Sequence, residues 1–266
     1  MTDFNDLTDD QMSLAENLYQ AYENHQPLDQ AKYAKVLDDE DTAYQVQQYL
    51  MQLKNEPIGG YKVSLTSEET QKMFDSQNPL YGVQVVSHFV PSPSHFRTSQ
   101  LMDPLAEVEL MFTATQDLQP NDSLEDLMRK TTIAPDIEVP DSRFSDWFPD
   151  LSKYLVVADA AVGGYVVYGR QVPTTQAFAS VDAVTQVTCE LLHDGQTLKT
   201  GAATEVLSNP LLSLQWLVQK LAAQGVQFLA GQRVSSGTFL LPERVTTGQW
   251  QAEFNHDLGD VELTVQ

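Results

Sequence analysis

The sequence predicts an α+β fold in which a small helical N-terminal region precedes a mixed, curled β-sheet with one long late helix. Apolar side chains recur at helical spacing over the first sixty residues, and short apolar runs separated by Pro, Gly, Asn and Asp fill the remainder. Strands and helices do not alternate strictly, as they would in a doubly wound sheet. We therefore expect a helical region at residues 1–60 and a β-rich domain at residues 61–266.

Two helices are predicted in the N-terminal region. Thr8 and Gln11 have the spacing of a capping box, and the apolar stripe that follows them includes Met12 and Tyr19. A second helix is expected after Asp41, where apolar side chains again recur at helical spacing. The sequence EPIGGY should end this helix because Pro and Gly are poor helix formers.

The β-rich part is interrupted by one clear helix. Apolar runs such as YGVQVVSHFV, AEVELMFTA and KYLVVADAAVGGYVVYG predict strands, and the Asp-Gly pair at residues 194–195 predicts a two-residue hairpin. The late helix should begin near Ser208 or Asn209, with Pro210 in its first turn, and end at Gly225. This order favours a sheet built from short, locally connected strands.

Composition narrows the classes of partner. The formal net charge is −22, from 37 acidic and 15 basic residues, so the long-range field repels nucleic-acid phosphates and anionic membranes. No apolar run is long enough to span a bilayer, and the N-terminus lacks the pattern of a signal peptide. The single cysteine, Cys189, excludes an intramolecular disulfide and a thiol metal site. We expect a cytoplasmic protein that binds neither nucleic acid nor a membrane.

Acidic residues raise a specific question in the segment PLAEVELMFTA, residues 104–114. The period of a strand places Glu107 and Glu109 together on one face, about 7 Å apart. Two carboxylates so placed repel each other and need either open water or a cation, and water is the commoner case. Glu138, in a second apolar run, offers a third oxygen ligand. Ligands of this type suit a hard cation such as Mg²⁺ or Mn²⁺.

Lys62 supplies a positive group directly after a Gly-Gly turn, at the start of a predicted strand. It is either an exposed lysine whose stem packs on the surface or a cation that polarises a substrate oxygen or transfers a proton beside a metal.

Other kinds of catalytic or binding site are disfavoured by the sequence. The histidines lack metal-binding spacing, and the nucleophile elbow and the nucleotide-binding glycine motifs are missing from the sequence.

The order of several motifs resembles one known family. The segments that carry this resemblance are GYKVSLTS, NPLYGV, AEVELMF, IEVPDSRFSDW and LAGQRVSSGTF. They are similar to successive motifs of the 2-keto-4-pentenoate hydratase and 4-oxalocrotonate decarboxylase family, within the fumarylacetoacetase superfamily. The resemblance extends from about residue 10 to the C-terminus. It implies a fumarylacetoacetase C-terminal-like fold, a Mg²⁺ or Mn²⁺ cofactor, a homo-oligomer and a catalytic domain at residues 61–266.

The resemblance also implies roles for individual residues. Glu107, Glu109 and Glu138 become metal ligands, and Lys62 becomes the lysine of the active site. The implied activity is hydration of 2-hydroxypenta-2,4-dienoate-type substrates to 4-hydroxy-2-oxo acids. The residues predicted to contact the substrate are Tyr61, Ser142, Arg143, Ser236 and Gly237.

Departures from the family pattern keep two alternatives open. Leu80 stands where hydratases of the family usually carry an acid implicated in proton transfer. Ala160 and Val162 replace polar residues, and Gln232 replaces an aspartate. The metal motif is intact, whereas the proton relay is altered. The chain could therefore be a 4-oxalocrotonate-type decarboxylase of 2-oxo acids, or a non-catalytic homologue that binds a keto acid and a metal.

Overall fold

The chain folds into N-terminal helices followed by two β-sheets, within the residues that the computed structural model describes, residue 4 and residues 6–266. The helices are α1 (Asp9–Asn24), α2 (Glu40–Lys54), α3 (Glu68–Met73), α4 (Leu124–Arg129), α5 (Lys153–Ala158), α6 (Thr174–Ala177), α7 (Val181–Val184) and α8 (Pro210–Ala223). The strands are β1 (Ile58–Ser64), β2 (Leu80–Val85), β3 (Phe89–Pro91), β4 (Ser94–Phe96), β5 (Leu105–Ala114), β6 (Thr131–Val139), β7 (Tyr165–Tyr168), β8 (Val172–Pro173), β9 (Thr188–His193), β10 (Gln196–Ala202), β11 (Arg233–Ser235), β12 (Glu243–Arg244), β13 (Gly248–Phe254) and β14 (Gly259–Val265).

The long helices begin where their capping residues lie. The capping box of Thr8 and Gln11 is formed at the start of α1. Helix α2 begins slightly earlier than expected, because the side chain of Asp39 accepts a hydrogen bond from the backbone N–H of Thr42. Helix α8 has Asn209 as its N-cap, as predicted. No helix in the described part of the chain is long and apolar enough to cross a membrane.

The larger sheet is mixed and curls into a half-barrel, which confirms the predicted α+β class. Among the described residues its strand order is β2-β1-β11-β5-β6-β7-β3, with β12 beside β5 and β8 beside β6. Strand β1 pairs with β11 in parallel, whereas β5 pairs antiparallel with both β11 and β6. The smaller sheet has the order β10-β9-β13-β14-β4, and β9 and β10 form the predicted hairpin. This topology places β1, β11, β5 and β6 side by side.

The segment at residues 153–158 forms helix α5, so the strand predicted from its apolar run was wrong. Its side chains from Leu155 to Ala158 are all buried, and a short run that is apolar on every side does not distinguish a helix from a strand. A turn at residues 160–162 with positive φ angles then leads into β7. Short helices also interrupt the sheet elsewhere, where the sequence predicted only α8.

One hydrophobic cluster extends from the N-terminal helices through both sheets in the described residues. Leu14 and Leu18 of α1 and Val46 of α2 belong to the same cluster as Val108 of β5 and Leu263 of β14. Helix α2 also packs against β2 and α5. The division of the chain at residue 60 therefore stays a prediction.

Candidate metal centre

Carboxylates from two neighbouring strands lie on one face of the larger sheet. The antiparallel register sets Glu107 opposite Glu138 and Glu109 opposite Asp136, and side chains directly opposite each other share a face. Ligand oxygens of Glu107, Glu109 and Glu138 all lie within 4.8 Å of one another. Glu109 and Asp136 are fully buried, whereas the side chain of Glu107 is 13% exposed. The paired glutamates of β5 are therefore not a solvated strand face.

Lys62 lies against this cluster. It is 1% exposed, and its Nζ is 2.9 Å from Oε1 of Glu138 and 3.9 Å from Oε2 of Glu107. Desolvation on burial opposes the charge of the ammonium group, but Glu138, Glu107 and Glu109 outweigh it and raise the pKa of Lys62. The lysine is thus a buried cation rather than the exposed side chain of the alternative interpretation.

Ser235, the last residue of β11, and Gly237 just beyond it hold the inner carboxylates in place. The hydroxyl of Ser235 is 2.7 Å from Oε2 of Glu109 and 2.7 Å from Oδ2 of Asp136, and the backbone N–H of Gly237 donates to Oε2 of Glu109 at 2.5 Å. A hydroxyl has one proton and can donate to only one of these oxygens at a time.

The sequence analysis did not predict that Asp136 and Ser235 belong to the centre. The period of β6 did carry a signal for Asp136, since it lies two residues from Glu138.

Burial is the main cause of the perturbed pKa values in the cluster. It raises the pKa of Glu109 and Asp136 well above the ordinary range, and neighbouring carboxylates raise both further. For Glu138, burial raises the pKa to about 7 although Lys62 acts in the opposite direction. The folded protein without a cation therefore retains protons that free carboxyls would release at neutral pH.

The donor set fits a hard divalent cation. Among the described residues, Oε1 of Glu109, Oδ1 of Asp136 and Oε2 of Glu138 are buried and accept no hydrogen bond. An unsatisfied buried acceptor costs about 1–3 kcal/mol, so oxygens that converge without donors are favourable only when protonated or when they bind a cation. Carboxylate oxygens are the ligands preferred by Mg²⁺ and Mn²⁺.

Without metal, the protein is expected to lose stability as pH rises from about 4.5 to about 7. The unfolded chain releases the proton of Glu138 near the ordinary pKa of 4.5, whereas the folded protein holds it to about 7. In this interval the folded state binds more protons, so the free energy of unfolding falls as pH rises. Thermal melts in EDTA across this range measure the slope. Glu138→Gln should flatten it, and equal slopes for the two proteins would show that Glu138 does not titrate in this way.

The predicted substrate contacts lie in different places. Gly237 reaches the centre through its backbone N–H, and the hydroxyl of the neighbouring Ser236 is buried without a hydrogen-bond partner among the described residues. The ring of Tyr61 packs instead against Tyr81 and Phe228, with centroid distances of 6.0 and 5.3 Å. Neighbouring residues of a strand point to opposite faces, so Tyr61 lies across the sheet from Lys62.

Ser142 and Arg143 belong to a separate buried network. The Ser142 hydroxyl donates to Asp159 at 3.0 Å, and the Arg143 guanidinium forms an ion pair with the same carboxylate. Arg143 also donates to the carbonyls of Asp141 and Gly163, at 2.6 and 2.5 Å. This arrangement anchors the turn before β7. Contact of these two residues with a substrate stays a prediction.

The departures from the family pattern also have definite places. Leu80 is buried in β2 opposite Ser64, and Val162 lines a cavity that also borders Lys62, Glu107 and Glu109. Gln232 accepts a hydrogen bond from the backbone N–H of Leu229 in a surface turn. An apolar residue therefore occupies the cavity wall where the family pattern has a polar one.

The chain is similar in sequence to hydratases of known activity. A 2-hydroxypent-2,4-dienoate hydratase of Pseudomonas putida is 30% identical over 224 residues, which cover 80% of this chain and 96% of that protein. A 2-oxo-hept-4-ene-1,7-dioate hydratase of Escherichia coli is 29% identical over 231 residues, which cover 83% of this chain and 84% of that protein. No protein-family model matches the chain.

Solved structures share the fold. The 4-oxalocrotonate decarboxylase of Pseudomonas putida G7, complexed with magnesium and adipate, matches with a TM-score of 0.87 at 25% identity, covering 96% of this chain and 97% of that one. A yeast fumarylacetoacetate hydrolase family protein matches with a TM-score of 0.58 at 13% identity, covering 80% and 94%, and shows the fold alone. The predicted fumarylacetoacetase-like fold is thus confirmed.

Proposed function

The chain belongs to the 2-keto-4-pentenoate hydratase and 4-oxalocrotonate decarboxylase family, and we propose that it is a Mg²⁺-dependent hydratase of 2-hydroxypenta-2,4-dienoate-type substrates. The product is a 4-hydroxy-2-oxo acid. The observation that carries the proposal is the buried convergence of Glu107, Glu109 and Glu138 around the ammonium group of Lys62. The hydratases to which the chain is similar support the reaction, and the magnesium in the related decarboxylase supports the metal.

The carboxylates of Glu107, Glu109 and Glu138 would hold the cation. When bound, the cation supplies a Lewis acid that stabilises negative charge on the carboxylate and C2 oxygen of the substrate. Ser235 and Gly237 fix the orientation of Glu109, since both contact its Oε2 atom. Because these side chains are buried, little water reaches their carboxylate groups, and the electrostatic interactions among them are stronger than in water.

Lys62 is the proposed catalytic residue. Its ammonium group is held by Glu138 and remains charged at neutral pH, so it can stabilise negative charge that develops on the substrate or donate a proton to it. In hydration, a proton added at C5 moves the double bond into conjugation with the C2 carbonyl, and water then adds at C4 while C3 takes up a proton. Hydroxyl groups of Ser64 and Thr66 in the same cavity could orient that water.

A decarboxylase is the second candidate. Leu80 and Val162 place hydrocarbon where a hydratase of the family usually has a proton relay, and the structural match to a decarboxylase covers 96% of the chain. Loss of CO₂ needs the same charge stabilisation at C2 but no positioned water. A non-catalytic homologue that binds a keto acid would share the metal centre as well.

Purified protein with Mg²⁺ is expected to consume 2-hydroxypenta-2,4-dienoate and release 4-hydroxy-2-oxopentanoate. Loss of enol absorbance and product identification by NMR measure the reaction, with EDTA-treated protein and Mg²⁺ alone as controls. CO₂ release from 2-oxohex-3-enedioate in place of hydration would favour the decarboxylase. A metal-binding protein that converts neither compound would favour the non-catalytic homologue.

We place the protein in the cytoplasm as a homo-oligomer whose partner is a small-molecule 2-hydroxydienoate or its 2-oxo tautomer. The formal charge of −22 supports a small-molecule partner over a nucleic acid or an anionic membrane, because such a surface repels both.

A further inference from the structure

The cavity beside the metal centre is apolar over much of its wall. Its volume is about 30 Å³, so it has little room beyond a short group. Its wall includes Phe74, Trp147, Phe148 and Val156. The ring centroid of Phe148 lies 6.2 Å from that of Phe74 and 5.5 Å from that of Trp147. The indole N–H of Trp147 donates to the carbonyl of Asp103, so this residue offers the cavity only its ring.

Charged groups in the cavity wall are confined to the metal centre. Among the described residues, the charged side chains that line it are Lys62, Glu107 and Glu109. Lys62 is engaged by Glu138. Lys153 lies on the same helix as Val156, but its ammonium group donates to the carbonyl of Asp75 and does not line the cavity.

Two of the four hydroxyl groups in the wall are already engaged by the backbone, which leaves only the neutral hydroxyls of Ser64 and Thr66 to face a second anionic group. The hydroxyl of Thr70 donates to the carbonyl of Ser67 at 3.1 Å, and that of Thr238 donates to the carbonyl of Leu240 at 2.8 Å. Each therefore has its proton engaged already. A carboxylate placed among the aromatic rings would lose its hydration without gaining a charged partner, which is strongly unfavourable.

We infer that the substrate is a monoanion: a 2-hydroxy-2,4-dienoate whose end remote from the metal carries hydrogen or a short alkyl group and no second carboxylate. This inference rests on the proposed function, because it assumes that the C1 carboxylate and C2 oxygen face the metal centre. It sets the chain apart from its relatives that are named for a dioate substrate or solved with adipate, a dicarboxylate. The net charge of −22 acts in the same direction, since it repels a dianion more than a monoanion.

The test compares 2-hydroxyhexa-2,4-dienoate with 2-hydroxyhepta-2,4-dienedioate in the presence of Mg²⁺. We expect kcat/KM for the monoacid to exceed that for the diacid at least about 100-fold, because a site without a partner for a polar group discriminates strongly against it. Comparable values, or a preference for the diacid, would overturn the inference while leaving the proposed hydratase intact.

A binding measurement tests the inference if turnover is not observed. Binding of 2-oxopentanoate and 2-oxohexanedioate to the Mg²⁺-loaded protein is measured by calorimetry. The monoacid should bind at least about tenfold more tightly even if the proposed activity fails, because the cost of the second carboxylate arises on binding. Equal affinities would overturn the inference independently of catalysis.

A variant with an added positive charge tests whether the aromatic part of the cavity wall causes the preference for the monoacid. Phe148→Arg puts a cation at a half-buried position of the aromatic cluster. It is expected to raise the diacid-to-monoacid ratio of kcat/KM at least about tenfold, because the second carboxylate of the diacid would then pair with the new guanidinium group. Leu198→Arg adds the same charge at a side chain that is 44% exposed on β10, outside this cavity, and should leave the ratio unchanged. Equal changes in both variants would indicate a long-range charge effect and overturn the assignment to the cavity.

Discussion

Millimolar Mg²⁺ or Mn²⁺ is expected to raise the melting temperature of the purified protein by roughly 5–10 °C. Glu107, Glu109 and Glu138 converge only in the folded chain, so the cation binds the folded state in preference to the unfolded one. At one hundred times the dissociation constant, such binding adds about 2.7 kcal/mol to the free energy of unfolding. The shift should increase with pH between 5 and 7.5, because the cation competes with protons held by the buried carboxyls.

Substitution of a single ligand should abolish the shift. Glu138→Gln removes one of the converging carboxylates and also releases Lys62, which would then repel the cation. Glu125→Gln is a matched control, since this glutamate is exposed on α4, away from the centre, and it should keep the full shift. A wild-type melting curve that does not respond to either cation would contradict the metal centre, and a shift retained by Glu138→Gln would exclude that residue as a ligand.

The parts of the metal centre that depend only on local geometry were predicted from the sequence. Alternation along β5 put Glu107 and Glu109 on one face irrespective of what covers that face. Capping residues likewise specified the starts of α1 and α8, because a cap depends on neighbours within a few residues. These predictions needed no knowledge of how distant segments pack.

Features that depend on distant segments could not be predicted in the same way. The pairing of Glu109 with Asp136 follows from the β5–β6 register, and the burial of Lys62 follows from the position of β1 next to β11. The partner of Arg143 is Asp159, which lies beyond α5, the segment that was predicted to be a strand. Of the residues assigned by family motif, Glu138 and Lys62 lie at the centre. Tyr61, Ser142 and Arg143 have other neighbours, and their contact with a substrate stays a prediction.

Replacement of Lys62 by Met is expected to reduce turnover at least about 100-fold, the lower range for loss of a general acid–base or charge-stabilising group. Met retains the length of the side chain without its charge. Glu138 loses its ion pair at 2.9 Å, and breaking a buried pair can destabilise a protein by about 3–5 kcal/mol. Part of that cost is offset when the orphaned carboxyl takes up a proton, so the variant should be most stable at low pH.

The stability and activity effects of Lys62→Met can be separated with metal. The cation removes the repulsion among the carboxylates, so the shift in melting temperature with Mg²⁺ should be at least as large as that of the wild type, while turnover stays low. Lys130→Met is the control for loss of an ion pair, since the Nζ of Lys130 lies 2.6 Å from Oδ1 of Asp122 and the residue precedes β6, at the opposite end of that strand from Glu138. It should lose stability but keep activity. Wild-type turnover in a folded, metal-binding Lys62→Met protein would leave this lysine only a structural role, that of balancing the charge of Glu138.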